Sequence, residues 1–282
     1  MTIEPSAPSA RLYPQATPGA SARRIWGLVL RYWYVMRSSW PRTAELVYWP
    51  LVQMLTWGFL QNYLNNTTSV AGRAAGLFIG AVLLWDILVR SQLGFAVAFL
   101  EEVWSRNLGH LMMSPLRPFE LVAALVIVSF TKLSIAMVPV TIMAYWFFGY
   151  NLLGLGIAFA VFFANLVFTS WAIALVSTGV VLRWGLGAES FAWLIVFALL
   201  PLCCVYYPVA TLPVWLQAVA LALPPTYVFE GLRAIVLNGV LDVKLMVEAF
   251  LLNILYFAGG YATFAYYLQS ARVNGTLVQM GE

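Results

Sequence analysis

Apolar runs of about 20 residues or more recur along this chain and constrain its fold more than any other feature. Hydrophobic residues make up 62% of its 282 positions and charged residues only 9%, whereas soluble domains have roughly half and roughly a quarter. Such a chain could not cover its apolar surface in water. Since a membrane-spanning helix needs about 20 apolar residues, the sequence predicts an all-α integral membrane protein.

The apolar runs predict six transmembrane helices, over residues 43–64, 74–100, 119–148, 152–182, 188–207 and 243–268. Before the first of them, residues 21–40 mix arginines with Trp, Tyr and aliphatic residues. This pattern is typical of an amphipathic helix lying on the cytoplasmic leaflet, although a buried lead-in to the first span has the same composition. Residues 1–20, rich in Pro, Ser and Ala, predict a disordered cytoplasmic tail.

An apolar segment between the fifth and sixth predicted spans is broken by prolines at positions 208, 213, 224 and 225. The resulting pieces are too short to cross a bilayer. Apolar pieces of this length dip into the membrane and return while packed against protein. We therefore predict a pair of re-entrant helices, over residues 214–223 and 226–237.

Arginine and lysine are distributed unevenly between the predicted loops. With both termini in the cytoplasm, ten of the fifteen basic residues lie inside, two lie within spans and three lie outside, at Arg73, Arg233 and Lys244. This excess follows the positive-inside rule. The same excess of cytoplasmic basic residues accounts for the positive net charge, so we do not expect the protein to bind nucleic acid.

The connection between the second and third predicted spans is EEVWSRNLGHLMMSPLRP, residues 101–118, which carries two glutamates, two arginines and the chain's only histidine. The orientation places this segment in the cytoplasm, and its pattern predicts an amphipathic helix over about residues 101–114. A soluble partner could contact it there, but an ordinary solvated loop fits the residues equally well.

Charged residues within the membrane are costly and face a bundle interior or a cavity. Asp86 and Arg90 are four residues apart in the second predicted span, in the favourable order for an ion pair, and Lys132 in the third is a possible further partner. They either pair and fix helix packing or line a transport pathway. Glu230 and Arg233, on the second re-entrant piece, either stabilise it as a pair or form part of an outer gate.

Catalytic and cofactor motifs do not occur in the sequence. Neither Lys132 nor Lys244 lies in the Gly-Lys-Ser/Thr core that binds nucleotide phosphates. A single histidine and two adjacent cysteines, Cys203 and Cys204, disfavour a zinc site. We therefore expect no catalytic residue, no metal and no cofactor in the chain itself.

Two stretches carry a family resemblance: LEEVWSRNLGHLMMSPLRPFEL and the later PVATLPVWLQAVALALPPTYVFEGLRAIVLNG. Together they resemble the diagnostic regions of ABC-2 type exporter permeases, and the resemblance extends over residues 21–282. It implies a homodimeric permease of the bacterial inner membrane that works with two ATPase subunits, which bind the ATP and Mg²⁺. The cargo implied is amphipathic, glycolipid-like or hydrophobic: a lipo-oligosaccharide, a polysaccharide or a drug.

The same resemblance implies that the cytoplasmic segment is a coupling helix that docks on the ATPase. The docking surface would comprise Glu101, Glu102, Trp104, Arg106, Leu108, Leu111, Ser114 and Pro115. The alternative is an ion-coupled secondary transporter or channel that uses the intramembrane charges Asp86, Arg90 and Lys132.

Overall fold

The computed structural model describes residues 18–67 and 75–273. The predicted tail lies almost entirely outside these residues, although its last three positions already belong to the first helix. The described residues form ten α-helices: α1 (Pro18–Arg37), α2 (Trp40–Thr67), α3 (Ala75–Trp104), α4 (Leu108–Met113), α5 (Pro118–Phe148), α6 (Ile157–Trp184), α7 (Phe191–Leu202), α8 (Val214–Leu221), α9 (Pro224–Asn238) and α10 (Val243–Val273).

Local sequence signals account for several of the helix ends. Pro118 begins α5, where the missing N–H of a proline costs no helical hydrogen bond. Gly149 and Gly239 end α5 and α9 with φ values of 64° and 72°, in the left-handed region that glycine adopts without strain.

Four stretches within the described residues are long and apolar enough to cross a membrane: Leu77–Trp104, Pro118–Phe148, Ile157–Ala188 and Val243–Val273. They correspond to the second, third, fourth and sixth predicted spans. The all-α membrane fold is therefore confirmed.

The first and fifth predicted spans differ from these four. Helix α2 covers the first with 28 residues but is less apolar. Helix α7 covers only Phe191–Leu202 of the fifth, a length of about 18 Å, against about 30 Å of bilayer core.

The predicted re-entrant pair is present as α8 and α9, which meet at an angle of 99°. Pro224 and Pro225 open α9, and a proline disfavours helical geometry in the residue before it. The bend therefore falls between Leu221 and Pro224, where the sequence places it.

Helix α3 lies at the centre of the bundle, against α2, α5, α6 and α9. Its most apolar stretch is 83% buried, whereas that of α10 is 22% buried. Helix α10 therefore presents most of its apolar surface to lipid or to another protein.

The contact between α6 and α10 combines close backbone approach with hydrogen bonds. The Thr169 hydroxyl donates to Oδ1 of Asn253 at 2.5 Å, and Nδ2 of Asn253 donates to the Asn165 side chain at 3.0 Å. All three residues are buried. Interhelical hydrogen bonds of this kind hold membrane helices together.

Helix α1 follows the first half of α5. Arg24 contacts Glu120 in the first turn of α5. About three turns further along, Trp33 of α1 and Lys132 of α5 border a groove between the two helices. Leu28, Val29 and Tyr32 face inward, and Trp26 is 59% exposed. The predicted amphipathic helix is therefore present, and its apolar side is divided between the bundle and the surroundings.

Candidate functional site: the α3–α5 connection

The connection between α3 and α5, residues 105–117, is a broken helix. Helix α3 ends at Trp104, and Arg106 has a φ of 54°, which interrupts the helix before α4 begins at Leu108. The Asn107 side chain donates to Oε2 of Glu102 at 2.7 Å and fixes this turn. The prediction of one continuous helix over residues 101–114 is therefore wrong, because the helix is interrupted between Trp104 and Leu108.

The connection presents a mixed polar and apolar outer face. Four of the predicted docking residues, Trp104, Arg106, Ser114 and Pro115, are exposed. Sequence reasoning left out His110, which is also exposed, and Met113, which is 76% exposed. We call these six residues the outer face of the connection.

The remaining predicted docking residues point into the chain or are largely covered. Leu108 is 2% exposed, Leu111 is 9% exposed and Glu102 is 2% exposed. The two leucines pack with Leu28 of α1 and Leu121 of α5 in one hydrophobic cluster. They anchor the connection to the bundle, so they are not available to a partner in this conformation.

Two ion pairs tie α1 to the two helices that flank the connection, α3 and α5. Nη2 of Arg31 donates to Oε2 of Glu102 at 2.8 Å. Nη2 of Arg24 donates to Oε1 of Glu120 at 2.6 Å, and this bond raises the pKa of Arg24 above its ordinary value. Glu120 also accepts hydrogen bonds from Ser21 and from the backbone N–H of Arg117.

Glu101 and Trp104 extend this set of contacts in other directions. Oε1 of Glu101 lies 3.6 Å from Nζ of Lys132 on α5, and the Glu101 side chain is 22% exposed. Nε1 of Trp104 donates to Oε2 of Glu189 at 2.7 Å, in the turn between α6 and α7. The end of α3 is therefore joined to α1, α5 and the α6–α7 turn.

The intramembrane charges do not form one site. Lys132 pairs with Glu101 rather than with Asp86. Asp86 is fully buried, and among the described residues neither of its oxygens has a hydrogen-bond partner. No ion pair between Asp86 and Arg90 is present in the described part of the chain, so the expected local pair is not formed in this conformation.

Glu230 and Arg233 do pair. Nη2 of Arg233 lies 3.1 Å from Oε1 of Glu230 and donates to the carbonyl of Cys204 at 2.7 Å. Glu230 accepts from the N–H of Val209 at 2.8 Å. The pair therefore ties α9 to the segment between α7 and α8, which favours the stabilising interpretation of these residues.

No group of three or more His, Cys, Asp or Glu residues that could hold a metal ion occurs in the described ranges. Each of the carboxylates around the connection is engaged by arginine, lysine, tryptophan or amide donors.

The chain matches the family model described as ABC-2 type transporter over residues 25–237. A comparison with curated proteins gives no significant match. The family match includes α2 to α8, the α3–α5 connection, residues 25–37 of α1 and all of α9 except its last residue. The chain therefore belongs to the ABC-2 type transporter family, as the multi-pass membrane permease subunit of an ABC transporter.

Proposed function

We propose that this permease exports its cargo at the expense of ATP hydrolysed by two copies of an ABC ATPase, each docked on the outer face of one α3–α5 connection in a homodimer. Family membership implies an ATPase partner, and the sequence has no phosphate-binding loop of its own. Energy must therefore enter through a protein contact.

The observation that carries this proposal is the exposure of six neighbouring residues on a connection whose other side is fixed to the bundle. Met113 and Trp104 expose apolar surface, and Arg106 exposes a charged side chain in the same region of the chain. Aromatic residues, methionine and arginine are enriched where proteins bind one another. The outer face therefore has the composition of a docking surface.

The contacts behind the outer face support its role in transmission. A partner shifts a conformational equilibrium only by binding the two states with different affinities. Movement of the end of α3 would act on α1 through Arg31–Glu102 and on α5 through Glu101–Lys132. We propose that these three helices move together when the ATPase closes on nucleotide.

We propose that the cargo is amphipathic, a glycolipid-like or hydrophobic molecule, and that the permease lies in a bacterial inner membrane with both termini in the cytoplasm. The positive-inside distribution supports this orientation. Exposed apolar side chains on α10, such as Phe250, Leu251 and Leu255, provide a surface for a second copy or for lipid.

An ion-coupled secondary carrier is less well supported. That alternative needs Asp86, Arg90 and Lys132 to act in one site, but Lys132 is engaged by Glu101. Because permeases of this family work with an ABC ATPase, ATP hydrolysis would supply the energy for transport and ion coupling would be unnecessary.

Co-purification with the ABC ATPase encoded beside this gene tests docking. Arg106→Glu and Met113→Glu should each lower recovery of the ATPase about tenfold, since a loss of roughly 1.4 kcal/mol of binding energy suffices. The matched control is Val240→Glu, because Val240 is 63% exposed in the turn between α9 and α10. Undiminished recovery with both outer-face variants would contradict the proposal.

A further inference from the structure

The α6–α7 turn, residues 185–190, lies beside the outer face of the α3–α5 connection. Nε1 of Trp104 donates to Oε2 of Glu189 at 2.7 Å, although the two residues are 85 positions apart in the chain. Helix α6 has 28 residues and is therefore about 42 Å long, against about 30 Å of bilayer core. This length allows the end of α6 to reach the same aqueous level as the end of α3.

The α6–α7 turn is anchored on its inner side, as the α3–α5 connection is. Leu186 packs against the hydrophobic cluster that also contains Leu108 and Leu111. At the start of α7, the Gln92 side chain of α3 donates to the carbonyl of Ala192 at 3.1 Å. These contacts fix the turn to α3 and to the inner side of the connection.

The outer side of the α6–α7 turn is exposed. Arg183 near the end of α6 and Gly187 and Ser190 in the turn are all exposed. A Cβ atom at Gly187 would have nothing within 4 Å, so the backbone of the turn is open to a partner. Because Trp104 belongs to the outer face and Glu189 to the turn, their hydrogen bond makes the two exposed regions one continuous surface.

The outer face alone is smaller than a stable protein interface. A specific interface takes about 20–30 residues from each partner, whereas the outer face comprises six exposed residues. Other parts of the cytoplasmic side therefore contribute to binding the ABC ATPase that the family implies. The α6–α7 turn is hydrogen-bonded to a residue of the outer face, and arginine, which it presents at Arg183, is enriched in protein interfaces.

We propose that the α6–α7 turn is a second docking element for the ABC ATPase, continuous with the outer face across the Trp104–Glu189 hydrogen bond. Arg183, Gly187 and Ser190 contact the same ATPase subunit that contacts Trp104. This inference rests on the docking proposed above. It adds that closure of the ATPase acts directly on α6 and α7 as well as through α3.

Site-specific photocrosslinking tests the contact directly. Benzoylphenylalanine replaces Met113, Gly187 or Gly259, one at a time, in the full-length permease, which is co-expressed with the ABC ATPase encoded beside this gene. The variants at Met113 in the outer face and at Gly187 in the α6–α7 turn should each crosslink to the ATPase. Gly259 is the matched control, because its Cβ position is equally open but lies in the middle of the spanning helix α10, and it should give no such crosslink.

The pattern of crosslinks distinguishes this inference from the proposed function. Crosslinking from both Met113 and Gly187 supports both. Crosslinking from Met113 alone overturns the second docking element and leaves docking on the outer face intact. If neither position crosslinks, both docking assignments fail. Equal crosslinking from Gly259 would show that the contact is not specific and would also overturn the inference.

A substitution that blocks the α6–α7 turn supplies a second measurement. Gly187→Trp should lower recovery of the ATPase in co-purification about tenfold, because the indole would hold the partner away from the turn. Gly259→Trp adds the same volume to α10 and should leave recovery unchanged. Size-exclusion chromatography establishes that both variants remain monodisperse. Undiminished recovery with Gly187→Trp would overturn the inference.

A double-mutant cycle tests the hydrogen bond that joins the two docking elements. Trp104→Phe and Glu189→Leu each remove one partner of the bond and should each lower ATPase recovery about threefold. Because both remove the same interaction, the double variant should recover no less ATPase than the single ones. Effects that multiply would show that the turn and the outer face dock independently, which would contradict a continuous surface.

Discussion

Arg31 and Glu102 are 71 positions apart in the chain, yet Nη2 of Arg31 lies 2.8 Å from Oε2 of Glu102. The arginine is 40% exposed, while the glutamate is 2% exposed. The carboxylate is thus held inside the bundle, and α1 is fastened to the last turn of α3. In the proposed mechanism, this pair would make α1 move together with the end of α3.

Arg31→Met is expected to destabilise the protein by about 2 kcal/mol, since the buried Glu102 carboxylate loses a charged hydrogen-bond donor and keeps the neutral donor Asn107. The free energy of chemical unfolding in detergent measures this effect. As a control, Glu248→Gln removes the exposed pair with Lys244, whose atoms are 3.8 Å apart, and should change stability by less than about 0.5 kcal/mol. Equal effects of the two variants would contradict the assignment.

Glu102→Lys should prevent correct folding rather than selectively abolish ATPase docking. The substitution places a second cation against Arg31 at a position with 2% exposure. Limited proteolysis would detect release of α1, and α1 should remain protected in Arg106→Glu because Arg106 is exposed. If Glu102→Lys gives the same proteolytic pattern as the wild type, a lysine at this position does not release α1.

Gly260 of α10 lies against the backbone of α6. A Cβ atom at this position would come within 2.8 Å of the Ala172 carbonyl oxygen and 3.3 Å of Leu175 Cβ. We expect Gly260→Ala to cost about 1–3 kcal/mol, because the two helices must separate.

The neighbouring glycine supplies the control for this prediction. A Cβ at Gly259 would have nothing within 4 Å, and alanine is the better helix former. Gly259→Ala should therefore leave the unfolding free energy unchanged or slightly raised. If both variants destabilise equally, the close approach of α6 and α10 is not the cause.

Asp86 and Asn253 are both fully buried, but only Asn253 is hydrogen-bonded. Asp86→Leu is nevertheless expected to lower stability, because it leaves the partly buried Arg90 without the carboxylate whose charge acts on it. Asn253→Leu should lower stability by about 1 kcal/mol through loss of the contacts with Asn165 and Thr169. Unchanged stability in Asp86→Leu would show that Arg90 does not depend on the charge of Asp86.

Arg233 binds the backbone of the segment that follows α7 and carries the two cysteines. Its guanidinium donates to the carbonyls of Cys204 and Val205 at 2.7 and 3.4 Å, and both thiols are buried. Arg233→Met should release this segment and increase the rate of maleimide labelling at Cys203 and Cys204, the only cysteines in the chain.

Lys244→Met provides the reference for maleimide labelling, since Lys244 is 82% exposed. Labelling should stay slow in this variant. If labelling is also slow in Arg233→Met, the packing of α7 and α9 is sufficient to keep Cys203 and Cys204 inaccessible to maleimide.

Much of the fold follows from local signals. Apolar runs give the four long spanning stretches, and Pro224–Pro225 gives the bend between α8 and α9. The short α7 was not predictable in the same way. Its apolar run continues past Leu202, but the chain turns at Cys203 and Cys204, where φ of Cys204 is 52° and Arg233 binds the backbone.

The candidate site could be predicted only in part. The segment, its exposed Trp104 and Arg106 and the apolar pattern of Leu108 and Leu111 follow from spacing and family resemblance. Spacing cannot tell whether leucines on an amphipathic helix face a partner or the chain's own bundle. The burial of Glu102 was equally hidden, because it depends on an arginine from another helix.

The sequence by itself determined that this chain is a helical membrane protein of the ABC-2 type, since apolar length and composition restrict a chain in lipid to satisfied helices and the family motifs are continuous in sequence. Only the tertiary structure decided which charges meet: Arg31 with Glu102, Arg24 with Glu120 and Lys132 with Glu101. These partners come from separate helices, and their distances depend on how the helices pack. No spacing along the chain encodes that packing directly.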